Sequence, residues 1–115
     1  MDALIFAFLN SWRGLLHGGR TERAVRQELV LLAVGMPVAL ILGASLWVRV
    51  GLIASLLLML AAEFLNTAIE KLCDHLHPDR HPRIGTVKDL ASAGTFLAQA
   101  LAALIWIAAL IDRLS

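Results

Sequence analysis

Residues 50–72 read VGLIASLLLMLAAEFLNTAIEKL, and the fold turns on whether they form one helix or two separate pieces. The uncharged part, Val50 to Ala62, is 13 residues long, too short for a hydrocarbon core that needs about 20 helical residues. It crosses only as one helix that continues through Glu63, Asn66 and Glu70, and that continuation carries carboxylates to membrane depth. On such a helix the three residues stand at i, i+3 and i+7, within about 60° of one another. They form a polar stripe on an oily rod. Rising about 1.5 Å per residue from Arg49, Glu63 lies roughly 21 Å across a core of about 30 Å and Glu70 roughly 31 Å. Glu63 is therefore inside one leaflet and Glu70 near its surface. An ionised carboxylate there costs about 3 kcal/mol or more, which makes an intramembrane acid a functional candidate. The plainer alternative is an interhelical pair that holds subunits together.

On either side of this stretch lie two further charge-free windows, Leu29 to Val48 with 20 residues and Leu90 to Ile111 with 22, each able to span. The first contains Pro37, which a membrane helix accepts with a modest kink. Its end, Trp47-Val48-Arg49, places an aromatic and a cation at an interface, so the turn into Val50-Gly51 is tight. The connector His75 to Thr86 contains Pro78, Pro82 and Gly85 and reads as a solvated loop. The chain is thus all-α: a surface helix over 1–27, spans over 29–48, 50–74 and 87–111, and a loop over 75–86.

Composition agrees. Of 115 residues 59% are hydrophobic and mean hydropathy is +0.77, well above the roughly 45–50% apolar content of a soluble domain. The formal net charge of +1 provides no basic field for nucleic acid. Cys73 is the sole cysteine, which excludes an intrachain disulfide framework and a multi-cysteine metal site. His75, His77 and His81 near Cys73 do not make a soft-metal cluster, because Pro78 and Pro82 break any fixed helical spacing.

The N-terminus has an acidic second residue and no cationic start, so it reads as mature protein and not as a signal peptide. Leu4, Phe8, Leu15 and Leu16 with Trp12, set against Arg13, Arg20, Arg23 and Arg26, fit an amphipathic helix lying in the membrane interface. Gly18-Gly19 is expected to bend or break it. Glu22 and Arg26, four apart, read as a solvated ion pair. The arginines before the first span, with Lys71, Arg80, Arg83 and Lys88 around the second connector, outweigh Arg49 and Arg113 on the other side, so the N-terminus and that connector face the cytoplasm.

Lys88, Asp89 and Ser92 open the third span at the depth of the acidic stripe. Taken alone, Lys88 reads as a snorkelling lysine. Several carboxylates, a carboxamide and a lysine at a membrane–water boundary suit Mg²⁺, which takes one or two protein carboxylates and completes its octahedron with water and phosphates. No glycine-rich phosphate loop is present, so a nucleotide is held by other means. From the residues alone, two further classes stay open: a proton-coupled transporter or channel subunit with Glu63 as carrier, and a membrane assembly factor without turnover.

The run Glu63-Phe64-Leu65-Asn66-Thr67-Ala68-Ile69-Glu70, followed by Lys88-Asp89-Leu90-Ala91-Ser92-Ala93, resembles the signature of the small bacterial integral-membrane diacylglycerol kinases. Upstream, Ser11-Trp12-Arg13-Gly14-Leu15 and Glu22-Arg23-Ala24-Val25-Arg26-Gln27-Glu28 resemble the same family's N-terminal helix, so the likeness covers nearly the whole chain. The resemblance implies a homotrimer in the bacterial inner membrane, with composite active sites on the cytoplasmic side, that transfers the γ-phosphoryl group of MgATP to diacylglycerol. It implies Glu63 as general base, with Asn66 orienting the site. It implies Glu22 and Glu70 as ligands of the divalent ions and Lys88 on the β/γ-phosphates. Asp89 and Ser92 match further active-site positions, and Asp74, Asp79 and His81 lie where the family contacts nucleotide. One departure stands out: where the family often has an arginine, about nine residues before the Ser-Trp pair, this chain offers Ala3. Undecaprenol is the alternative acceptor, since the same motif serves both lipids.

Overall fold

The computed structural model describes residues 2–77, 79 and 82–115. Four helices account for nearly all of them, α1 (Ala3–Thr21), α2 (Arg23–Leu42), α3 (Leu46–Leu76) and α4 (Pro82–Leu114), and no strand occurs among the described residues. The segment that decides the fold is one unbroken helix: α3 runs for 31 residues through Glu63, Asn66 and Glu70. Helices α2, α3 and α4 are each long and apolar enough to cross a membrane.

The central helix is α3, packed along both α2 and α4, while α1 touches α2 and sets Gly18 against Phe64 of α3. The small core between the three long helices consists of Leu56, Met59 and Ala102, with Leu32 and Trp106 packed against it. Trp106 reaches across from α4, its indole Nε1 donating to the Leu52 carbonyl at 3.2 Å and to Ser55 Oγ at 3.1 Å. A buried indole N–H in oil needs such a partner. Large apolar side chains point outward, with exposures from 61% at Ile111 to 75% at Ile41 and Phe96, Leu97 and Leu104 in between. Glu28, Glu63 and Asn66 are by contrast buried. Apolar outside and carboxylate inside is the arrangement that a lipid solvent selects.

The helix ends fall elsewhere than the sequence suggests, for local reasons. The break expected at Gly18-Gly19 is absent, and α1 continues to Thr21 before Glu22 turns extended at φ −113°, ψ 118°. Gly18 is instead a contact point: a Cβ there would lie 2.5 Å from Cε1 of Phe64 on α3. Residues 23–27, expected on the surface helix, open α2. That helix passes through Pro37 and ends at Leu42, not at Val48, so Trp47 and Arg49 belong to the first turn of α3. The turn is fixed by Ser45 Oγ, which accepts from Val48 N at 3.3 Å, and by Arg49 Nε, which donates to the Gly43 carbonyl at 3.1 Å. The loop expected over 75–86 shrinks because α3 continues to Leu76 and α4 opens on Pro82. Proline suits a first helical position, where its missing N–H has no partner to lose and its φ is already helical.

Gly18→Leu is expected to force α1 off α3 at a cost of about 1–3 kcal/mol. The same change at Gly14, where an added Cβ meets nothing within 4 Å, serves as the control. Thermal unfolding of the purified variants in detergent measures the difference, and equal midpoints would remove the Gly18–Phe64 contact as a determinant of packing.

Candidate active site

Glu63 comes to the inner face of α3 because its stripe is the side turned toward α2. Its carboxyl lies within reach of the Thr67 hydroxyl one turn on and of the Glu28 carboxyl on α2, with Glu70 and Glu22 in electrostatic range. Both Glu28 (8% exposed) and Glu63 (7%) are withdrawn from the surface of the single chain. Asn66, one turn beyond Glu63, donates from Nδ2 to Glu70 Oε1 at 3.2 Å. Two oxygens of this buried cluster, Glu28 Oε1 and Asn66 Oδ1, have no hydrogen-bond partner among the described residues. A buried acceptor left without a donor costs about 1–3 kcal/mol, so such atoms mark a place where a donor or a cation belongs.

Glu22 stands at the α1–α2 junction and there departs from the sequence reading. Its partner is not Arg26 but Lys71 of α3, with Oε1 2.6 Å from Nζ. The reason is its backbone: as the extended residue between two helices, Glu22 is outside the i, i+4 geometry that would have aligned it with Arg26. Arg26 turns instead to the Arg20 carbonyl at 3.3 Å. Lys88 likewise does more than snorkel, for its Nζ meets Asp74 at 2.5 Å across the α3–α4 gap, with Glu70 in electrostatic range.

The chain therefore brings Glu22, Glu63, Asn66 and Glu70 into one cluster and adds Glu28 and Lys71 to it. The motif assigns no site role to Glu28. Its signal lay in being the last charge before the 20-residue apolar window, one that packing drew inward. Asp74 and Lys88 form a second, adjoining pair. Asp89 and Ser92 stay exposed on α4, Asp79 is exposed in the connector, and His81 lies outside the described residues.

The donor set fits a hard cation. The carboxylates of Glu22 and Glu70 and the unpartnered amide oxygen of Asn66 all offer oxygen donors. No group of three His, Cys, Asp or Glu side chains closes into a cage among the described residues. Mg²⁺ does not need one, because it usually keeps water and substrate phosphates for most of its positions.

Comparison with known proteins gives the family. The sequence model of the prokaryotic diacylglycerol kinases matches residues 9–110. Similar proteins include the diacylglycerol kinase of Pseudomonas aeruginosa, 40% identical over 96 residues that cover 84% of this chain and 78% of the relative. Those of Escherichia coli and Haemophilus influenzae are 35% and 33% identical over 96 residues, covering 84% of this chain and 79% and 81% of the relatives. With its three apolar helices and its buried acids, the chain belongs to the prokaryotic diacylglycerol kinase family, multi-pass membrane enzymes that phosphorylate lipid with ATP as co-substrate.

Proposed function

We propose that the chain transfers the γ-phosphoryl group of ATP to the hydroxyl of diacylglycerol, giving phosphatidic acid, with Glu63 as general base. The observation that carries this is a carboxylate buried on an otherwise apolar membrane helix, beside an amide and a second acid. Glu63 takes the lipid hydroxyl proton as that oxygen attacks the γ-phosphorus and the bond to the β,γ-bridging oxygen breaks, releasing ADP. Asn66 orients the site. Lys88 grips the β/γ-phosphates, with Asp89 and Ser92 beside it, and Asp74, Asp79 and His81 contact the nucleotide. Glu22 and Glu70 hold the divalent ion. When bound, Mg²⁺ neutralises charge on the phosphate oxygens.

The site is composite, built between helices of neighbouring subunits in a homotrimer, and it faces the cytoplasm. Two features support this. Asp89 and Ser92 are exposed in the single chain, and broad apolar faces of α2 and α4 lie outward. The arginines of α1 and early α2, with the cations around the α3–α4 connector, give the side. The N-terminal helix, with its exposed Leu4, Phe8 and Trp12, lies in the interface.

Purified protein in mixed micelles with labelled ATP and Mg²⁺, offered diacylglycerol and undecaprenol side by side, tests the proposal. Label in phosphatidic acid is the expected result. Label in undecaprenol alone would move the activity to that acceptor, and label in neither lipid would end it. For Glu22→Gln and Glu70→Gln the half-saturating Mg²⁺ concentration is expected to rise about tenfold or more, equivalent to one charge-assisted contact of about 1.5 kcal/mol. Unchanged metal curves would remove both residues as ligands.

A further inference from the structure

Lys71 has no task in the chemistry just proposed, yet its ammonium sits where that chemistry needs a cation. It rises from α3 one residue after Glu70 and meets Glu22 Oε1 at 2.6 Å, tying the α1–α2 junction to α3. Around this pair the fold gathers the other acids, since Glu22, Glu28 and Glu70 all act on Glu63. Lys88, across the α3–α4 gap, is engaged by Asp74. Four carboxylates drawn together at a lipid boundary repel one another unless positive charge stands among them. Glu28 Oε1 and Asn66 Oδ1, buried and unpartnered, show that the Lys71 charge does not satisfy every acceptor present.

We propose that Lys71 is a built-in counter-cation for Glu22, which it neutralises in the metal-free protein and releases to an incoming divalent ion. The proposal rests on the reading of Glu22 as a metal ligand. An ammonium offers one charge at a flexible stem, whereas Mg²⁺ offers two in a compact sphere that oxygen ligands prefer. The ion pair is also weakly held: its side chains are 56% and 27% exposed, and pairs so open to water contribute little. Exchange is therefore easy, and the affinity of the site for metal is set by competition between the lysine and the ion. A lysine serving only to brace the junction makes the opposite prediction, because its removal would loosen Glu22 and weaken metal binding.

The sign of the change decides between the two. Full-length protein in mixed micelles is titrated with Mn²⁺, and the paramagnetic resonance signal of the free ion gives the affinity without ATP, lipid acceptor or turnover. Lys71→Met and Lys71→Gln are each expected to tighten Mn²⁺ binding about two- to fivefold, the equivalent of removing one exposed ion pair. Lys71→Arg, which keeps the positive charge, is expected to bind Mn²⁺ as the wild type does. Unchanged or weaker binding in both neutral variants would overturn the proposal, a weaker value assigning Lys71 to bracing. Glu22→Gln measured in parallel separates the proposal from the reading beneath it. Weak binding there with unaltered Lys71 variants sinks only the competition, whereas wild-type affinity in Glu22→Gln removes Glu22 as a ligand altogether.

Discussion

Glu63→Gln is expected to lower turnover by about 10²–10⁴-fold, the usual contribution of a positioned general base, while leaving the assembly intact. The substitution keeps the shape of the side chain and its capacity to accept from Thr67, so the packing of α3 against α2 has no reason to change. What it removes is the capacity to take up a proton. Charge separates the two effects cleanly: a neutral amide beside Glu28 relieves repulsion between acids, so stability should hold or rise as rate collapses. Single-turnover kinetics with diacylglycerol in mixed micelles, read beside the oligomer mass of the same sample, measures both. A variant turning over at the wild-type rate would end the assignment of Glu63 as base. One that lost its assembly along with its rate would favour a purely structural acid.

Lys88→Met is expected to reduce kcat/KM for ATP by about 10–100-fold, the equivalent of one charge-assisted contact of about 1.5–3 kcal/mol. In the structure the Lys88 ammonium is held by Asp74 at the cleft between α3 and α4, close to Glu70 and so at the edge of the acidic cluster. Neutralising it removes positive charge from the phosphate site proposed above. Asp74→Asn is the companion: it frees the lysine and keeps its charge but loses the nucleotide contact proposed for Asp74, so kcat/KM for ATP is expected to fall, and by less than in Lys88→Met. Equal KM and kcat for ATP in Lys88→Met and wild type would exclude the lysine from the phosphate site.

Much of this architecture was legible because one segment had only one solution. Thirteen apolar residues cannot span, so the helix had to run on through Glu63 and Glu70, and α3 does. The stripe of Glu63, Asn66 and Glu70 followed from helical spacing alone, and Asn66 does reach Glu70. Pairings between elements were not legible. Glu22 and Lys71 lie 49 positions apart by their numbers, and nothing local in either residue announces the other. The same holds for Lys88 and Asp74. Helix ends failed for a different reason: glycine weakens a helix by only about 1 kcal/mol per residue, which tertiary packing of Gly18 on Phe64 outweighs. Proline at 82 reads as loop punctuation in the sequence, yet it stands at the first helical position, which welcomes it.

The length of α3 has a consequence of its own. At 31 residues it measures about 46 Å, outlasting a hydrocarbon layer of about 30 Å by several turns without a hinge or a joint. On the proposed reading, one continuous helix reaches from the far side of the bilayer into the aqueous margin, with Glu63 and Glu70 at the crossing of the two media. For the transfer proposed above, neither reactant then has to change phase: a greasy alcohol can remain anchored among its neighbours while a water-borne donor waits above it.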